Sequence, residues 1–146
     1  MNLPEYVTRA EVQRVCQELG FRDWTDLKTT AVLMEEARIL QKEVGEEALQ
    51  VSVEAFQKGL EVELEHGMEY NGSNITNNHP ILTAKIVLAH LKDMLDYYER
   101  LDVAEGEGDL LKAIMAGDVA KIRKEYSKLL AARSHLSQRE QQQLAS

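Results

Sequence analysis

This sequence predicts an all-α fold: a compact, bundle-like packing of five or six helices around a central helical hairpin. Three observations carry that expectation. Strong helix formers (alanine, leucine, glutamate, lysine and glutamine) dominate the 146 residues. Apolar residues recur at three- and four-residue spacing rather than in alternation. The aromatic share is only 5% and there are two prolines, a composition that suits helices better than strands. With 44% hydrophobic residues, a chain of this length can bury a core without a metal or a disulfide.

The first helix is predicted over Arg9–Leu19. Thr8 and Glu11 form a capping-box pattern, Val12, Val15, Cys16 and Leu19 supply the apolar stripe, and Gly20 stands where a helix-ending glycine belongs. Phe21 and Trp24 follow in a turn as core anchors. A second helix is expected from an N-cap at Thr25 or Asp26 to Gly45, with Leu33, Ala37, Leu40 and Val44 inward. Residues 46–51 fit either a turn or more helix. Ser52 is the expected cap of a third helix that ends at Gly67.

The stretch from Met68 to His79 is rich in Asn, Gly, Ser and Thr and reads as a loop, with Asn71-Gly72 a tight turn. Pro80 suits the first position of a fourth helix, where its missing N–H costs nothing, and that helix is expected to run to Leu101. The third and fourth helices make the central hairpin, residues 53–101. Glu105-Gly-Glu-Gly108 reads as a linker between a helical core domain, residues 1–105, and a C-terminal helical extension, residues 106–146. There Asp109 and Asp118 are expected N-caps of a short helix and a longer one. The longer helix covers Val119 to Arg133, with Val119, Ile122, Tyr126, Leu129 and Leu130 on one face. Ser137 caps a further turn before a Gln-rich tail expected to fray.

A net charge of −8 argues against nucleic-acid binding, which needs a basic face. The charge is uneven: from Leu110 onward seven Lys/Arg stand against three Asp/Glu. A basic C-terminal helix on an acidic body is expected to dock on that body, on a protein partner or on a second copy of the chain. No apolar run approaches eighteen residues, so no membrane span is expected, and the N-terminus lacks a signal-peptide pattern. Cys16 is alone, which excludes an internal disulfide and fits the cytoplasm.

Chemistry is suspected in one place, the central hairpin. At about 100° per residue, Phe56, Leu60 and Leu64 share one side of the third helix, and Glu54, Lys58, Glu61 and Glu65 gather on the solvated arc opposite. Glu63 and His66 fall on the flank that continues the apolar stripe. His90 lies among apolar positions of the fourth helix, with Lys85, Lys92, Asp96 and Glu99 facing away. Glu63, His66 and His90 are therefore candidate ligands for a single transition metal. Glu63 and His66 have the spacing of the Glu-x-x-His pair of di-iron bundles, but there is no second copy. The simpler reading, a buried hydrogen-bonded cluster that fixes the pairing of two helices, is preferred. A second candidate is an anion or small ligand at Asn74, Thr76, Asn77 and Asn78, just before a helix N-terminus. Against it, the same side chains can cap the helix and brace the loop.

The strings GLEVELEHG, SNITNN, KIVLAHL and DYYERL resemble a family of small bacterial and phage proteins of unknown function. Its members read VELEHG, TNVTNDDP, TGKIALAHL and YY in that order. The resemblance covers Phe56 to Leu101 together with the first helix and its ELGF. Glu63, Glu65, His66, Asn74, Thr76, Lys85, His90, Tyr97 and Tyr98 fall on the pattern. His79 stands where the family has Asp, Ala84 where it has Gly, and the helix between Thr29 and Gln50 and the tail after Glu105 look like additions. The resemblance implies the same helical fold and brings no activity. No phosphate loop, nucleophile elbow or Cys-x-x-Cys is present, so the expectation leans away from an enzyme. It points to a small binding or protein-interaction module.

Overall fold

The computed structural model describes residues 4–145, the side chain of Asn71 excepted. It is all-helical, with no strand among these residues. Six α-helices follow in order: α1 (Arg9–Leu19), α2 (Met34–Val44), α3 (Val53–Glu69), α4 (Pro80–Asp93), α5 (Tyr97–Met115) and α6 (Val119–Ala145). Short 3-10 turns lie at Trp24–Asp26, Glu46–Gln50 and Asn71–Ser73. The chain divides into two compact units, Met1–Leu95 and Asp96–Ser146.

In the first unit, capping chemistry sets most helix ends where the sequence puts them. Thr8 Oγ1 accepts from the N–H of Glu11 at 3.2 Å, Ser52 Oγ accepts from that of Ala55 at 3.1 Å, and Gly20 closes α1 at φ +70°. The start of α2 differs from expectation: it is Met34, not Thr25 or Asp26. Asp23 accepts from the Thr25 N–H at 2.8 Å and from its hydroxyl at 2.6 Å, which locks Trp24–Asp26 into a separate turn. The backbone at Val32 is then held by α3. Its N–H donates to Glu61 Oε1 at 3.0 Å, and its carbonyl accepts from Gln57 Nε2 at 2.6 Å. Glu61, expected on the solvated arc, is instead half-buried and ties α3 to this segment. Glu36 reaches back to accept from the N–H of Leu33 at 2.9 Å, one half of a capping box.

Helices α2, α3 and α4 pack on one another, and α1 lies against the Trp24 turn and α4. Trp24, Leu40, Phe56, Leu60 and Val87 are fully buried, each removing enough apolar surface to stabilise the fold by about 1.5–3 kcal/mol. The carboxylate of Glu36 is buried with them, and its charge is matched. It accepts from Arg22 Nε at 3.1 Å and from Trp24 Nε1 at 3.3 Å. Buried Gln41 donates to the carbonyls of Ala48 and Val51, which settles residues 46–50 as a 3-10 turn.

The second unit departs further from expectation. The fourth helix does not reach Leu101: Met94 takes an extended conformation, and α5 begins afresh at Tyr97. Arg100 grips Asp96 with two bonds of 3.0 and 2.8 Å. The expected linker, Glu105 to Gly108, is helical and lies inside α5. Gly106 faces α6: a Cβ there would stand 3.4 Å from Leu129 Cδ1 and 3.7 Å from its Cα, an ordinary contact that leaves room for a side chain. Asp109 pairs with Lys112 at 3.0 Å instead of opening a helix. Asp118 does cap α6, accepting from the N–H of Lys121 at 2.9 Å. That helix runs past Arg133 to Ala145, so Ser137 lies within it and caps nothing. Its expected apolar face is divided: Leu129 is buried, Ile122 half-buried, and Val119, Tyr126 and Leu130 are exposed.

Candidate functional site

Three pieces of the first unit meet at one pocket of about 220 Å3. The C-terminal turns of α3 supply Glu63 and His66, Tyr70 follows directly after the helix, and α4 supplies Thr83 and Ile86. The loop between them supplies Asn74, Ile75, Thr76 and Asn78.

Gly67 is what lets these pieces meet. A Cβ there would stand 2.7 Å from Asn78 Oδ1, closer than such atoms come, and 3.0 Å from Asn74 Nδ2, tighter than most, so both amides would have to shift. The sequence reading ends α3 at Gly67, but the helix continues to Glu69, and the missing side chain serves close approach instead. Asn77 and Asn78 bend the loop back with φ of +49° and +59°, a left-handed conformation that asparagine adopts more readily than most residues. Asn74 Nδ2 donates to the carbonyl of Gly67 at 3.1 Å and to Asn78 Oδ1 at 2.8 Å. A carbonyl only accepts, so the nitrogen of the Asn74 amide must face Gly67, and both of its hydrogens are engaged. Thr76 Oγ1 lies 3.4 Å from Asn74 Oδ1 and donates to it. Asn77 belongs elsewhere: its Nδ2 donates to Glu5 Oε1 at 2.6 Å and to the carbonyl of Val7 at 2.5 Å.

The Glu63 side chain is 15% exposed, with Oε1 3.5 Å from His90 Nε2. His66 is exposed and shares the pocket wall with Glu63. Of the candidate metal set, Glu63 is thus paired with His90 and only shares a pocket wall with His66. Among the described residues, no three His, Cys, Asp or Glu side chains converge as a metal would require. Of the candidate ligand-binding residues, Asn74, Thr76 and Asn78 line the pocket and Asn77 does not. The helix terminus behind them is closed by His79, whose Nδ1 accepts from the N–H of Leu82 at 3.4 Å. Burial holds the His79 imidazole below the ordinary histidine range, opposed by the carboxylate of Glu11.

Among the described lining residues, Glu63 is the one carboxylate, and there is no lysine or arginine. Thr83 is buried, while Tyr70, Ile75 and Ile86 are exposed large apolar groups at the same pocket. Sequence reasoning missed Gly67, Tyr70, Thr83 and the two isoleucines as parts of a site. Ile75 did carry a signal, as an isolated apolar residue inside a polar loop.

The family model described as Protein of unknown function (DUF5661) matches residues 12–107. The chain belongs to the DUF5661 family. The resemblance read from the ELEHG and KIVLAHL strings is likewise to a family of unknown function. The DUF5661 match takes in every described lining residue of the pocket, ends inside α5 and leaves α6 outside. No curated protein and no solved structure matches the chain.

Proposed function

We propose that this DUF5661 chain is a non-catalytic binding module whose site is the pocket between α3, the Asn74–Asn78 loop and α4. The observation that carries the reading is the Gly67 contact. It seats the loop on the helix and leaves a concavity with polar groups within and apolar groups around it, the usual make-up of a small-molecule site. The polar side chains bond to one another and to backbone, an arrangement that holds a shape. They do not form a nucleophile, base and orienting group in sequence. Single, buried Cys16 supports a cytoplasmic location, and no helix of the described residues is long and apolar enough to cross a membrane. Protein-observed NMR with a fragment mixture tests the reading. Shifts should gather at Gly67, Asn74, Asn78 and Thr83 and vanish in Gly67→Val, whose side chain takes the place of the two asparagine amides. Shifts confined to α1 and α2, or none, would retire it.

A second reading concerns α6. Val119, Tyr126 and Leu130 fall within about 40° of one another on the helix projection, and all three are exposed. Arg123 lies beside them on the same projection, while Lys121 and Lys128 fall on the opposite side. This favours a protein partner or a second copy there. Light scattering should then give a mass above 16.6 kDa that falls to the monomer in Tyr126→Glu with Leu130→Glu; an unchanged mass counts against it. Truncation after Glu105 is a poorer test, because it cuts α5 in the middle.

A further inference from the structure

Resting on the α6 reading, we infer that a second copy of this chain covers one face of the α5–α6 hairpin, the two hairpins forming an antiparallel four-helix bundle. Geometry builds the face. Within Asp96–Ser146, α5 and α6 run antiparallel, and Gly106 of one looks at Leu129 of the other. Counted at 100° per residue from Gly106, Val103, Leu110 and Ile114 lie about 40–80° round α5 in one rotational sense. Counted from Leu129, Val119, Tyr126 and Leu130 lie about 60–100° round α6 in the same sense. In an antiparallel pair, equal senses fall on one side of the hairpin, so these six residues make a single two-helix face. The 2.7 Å ion pair of Glu107 with Arg133 lies on that side too and ties the two helices together. Ile114, Val119, Tyr126 and Leu130 are exposed, and Val103 and Leu110 are half-buried.

Two helices enclose only one seam, and the buried side chains of this unit are correspondingly few. A second hairpin laid on the apolar face turns that seam into a four-helix core. Charge selects both the copy and its orientation. Helix α5 carries five Asp/Glu against two Lys/Arg, and α6 carries six Lys/Arg against two Asp/Glu. A two-fold axis parallel to the helices sets α5 of each copy against α6 of the other, acidic against basic, with every neighbour antiparallel. An axis across the helices would set α5 on α5 and α6 on α6, like charge on like. A foreign partner would have to supply both signs in this arrangement, whereas a second copy already has them. Arg123, at the edge of the face, makes no ion pair among the described residues and can meet the acidic helix of the second copy. The face exposes about 500 Å2 on each copy, so the dimer buries about 1,000 Å2, the lower limit of a specific interface, and dissociates in the micromolar range.

Analytical ultracentrifugation of the full chain, from about 1 to about 500 μM, tests the inference. The mass should rise from 16.6 kDa towards twice that value. Ile114→Glu, on the α5 half of the face, should raise the dissociation constant at least tenfold. Met115→Glu, at a more exposed residue turned 180° from Gly106, should leave it unchanged. At the dilute end both variants should melt with the unsubstituted chain, which shows that they are folded. Raising salt from about 50 to about 500 mM should weaken the dimer, because it screens the attraction of α5 for α6. A chain that stays monomeric throughout overturns the inference and leaves the α6 reading with a different protein as partner. An assembly that Ile114→Glu leaves intact, while Tyr126→Glu with Leu130→Glu dissociates it, overturns the two-helix face and keeps α6. Tighter association at high salt overturns the pairing of α5 with α6.

Discussion

In the unit that ends at Leu95, Trp24, Leu40, Phe56, Leu60 and Val87 are sealed from solvent, and three helices pack on one another around them. In the unit that begins at Asp96, two helices pair, and the buried side chains are few: Tyr98, Ala113, Leu129 and the carboxylates Asp96 and Glu125. Each unit has a glycine inside a helix that faces a neighbour. Gly67 admits the Asn74 and Asn78 amides where a Cβ would crowd them, and so shapes a cavity, while Gly106 faces Leu129 at a distance that a Cβ could fill. What each glycine contacts decides what a substitution does.

The largest test sets the two cores against each other. Phe56→Ala should lose about 3–5 kcal/mol by chemical denaturation. Leu129→Ala, in a unit with few other buried side chains, should lose about 2 kcal/mol, the lower end for such a truncation. Equal losses would mean that the core between α5 and α6 is deeper than its buried residues suggest.

The glycines sharpen the comparison through their signs. Gly67→Ala pushes against two asparagine amides and should destabilise by about 1–3 kcal/mol, with NMR shifts centred on Asn74 and Asn78. Gly106→Ala meets Leu129 at ordinary contact distance, and Gly108→Ala meets nothing within 4 Å. Each should stabilise by about 0.5–1 kcal/mol through helix propensity, read as a raised melting temperature.

Two smaller effects follow. His79 accepts a hydrogen bond at Nδ1 and so must be unprotonated there, and its folded-state pKa lies below the ordinary 6.5 because it is buried. Its contribution is therefore complete above about 6.5, declines as pH falls below that value because the unfolded chain takes up the proton more readily, and is lost through the lower folded-state value. Hydrogen exchange at about pH 5 should show faster opening of α4 relative to α6 than at about pH 8. His79→Asp, a stronger N-cap, should stabilise by about 0.5–1 kcal/mol and remove that dependence near neutrality. Smallest of all, Glu107→Gln breaks an exposed 2.7 Å pair with Arg133 and should change stability by less than about 0.5 kcal/mol.

The parts of the fold that were legible in the sequence are those written in local chemistry. Thr8, Ser52 and Asp118 cap helices by bonding to N–H groups three residues on, Gly20 and Gly45 end helices, and Pro80 opens one. What the sequence hid depends on distant partners. The late start of α2 is fixed by Gln57 and Glu61 of α3, and Glu105 to Gly108 lie in a helix that pairs with α6. The site was half legible for the same reason. Glu63 and His66 could be placed on a common helix flank by counting, and Asn74, Thr76 and Asn78 in a loop by composition. That all five line one pocket depends on the Gly67 contact, which no periodicity encodes.

Asn77, the loop residue that turns away from the pocket, gives the amino end of the chain a use in the laboratory. Its side chain fastens the pocket loop to Glu5 and Val7, across about half the length of the sequence. These two bonds place the segment ahead of α1, where Tyr6 is 80% exposed, beside the pocket loop. A dye attached at position 6 is therefore expected to report occupancy through the loop while touching no pocket residue, and fluorescence unchanged by a bound ligand would show the two to be uncoupled.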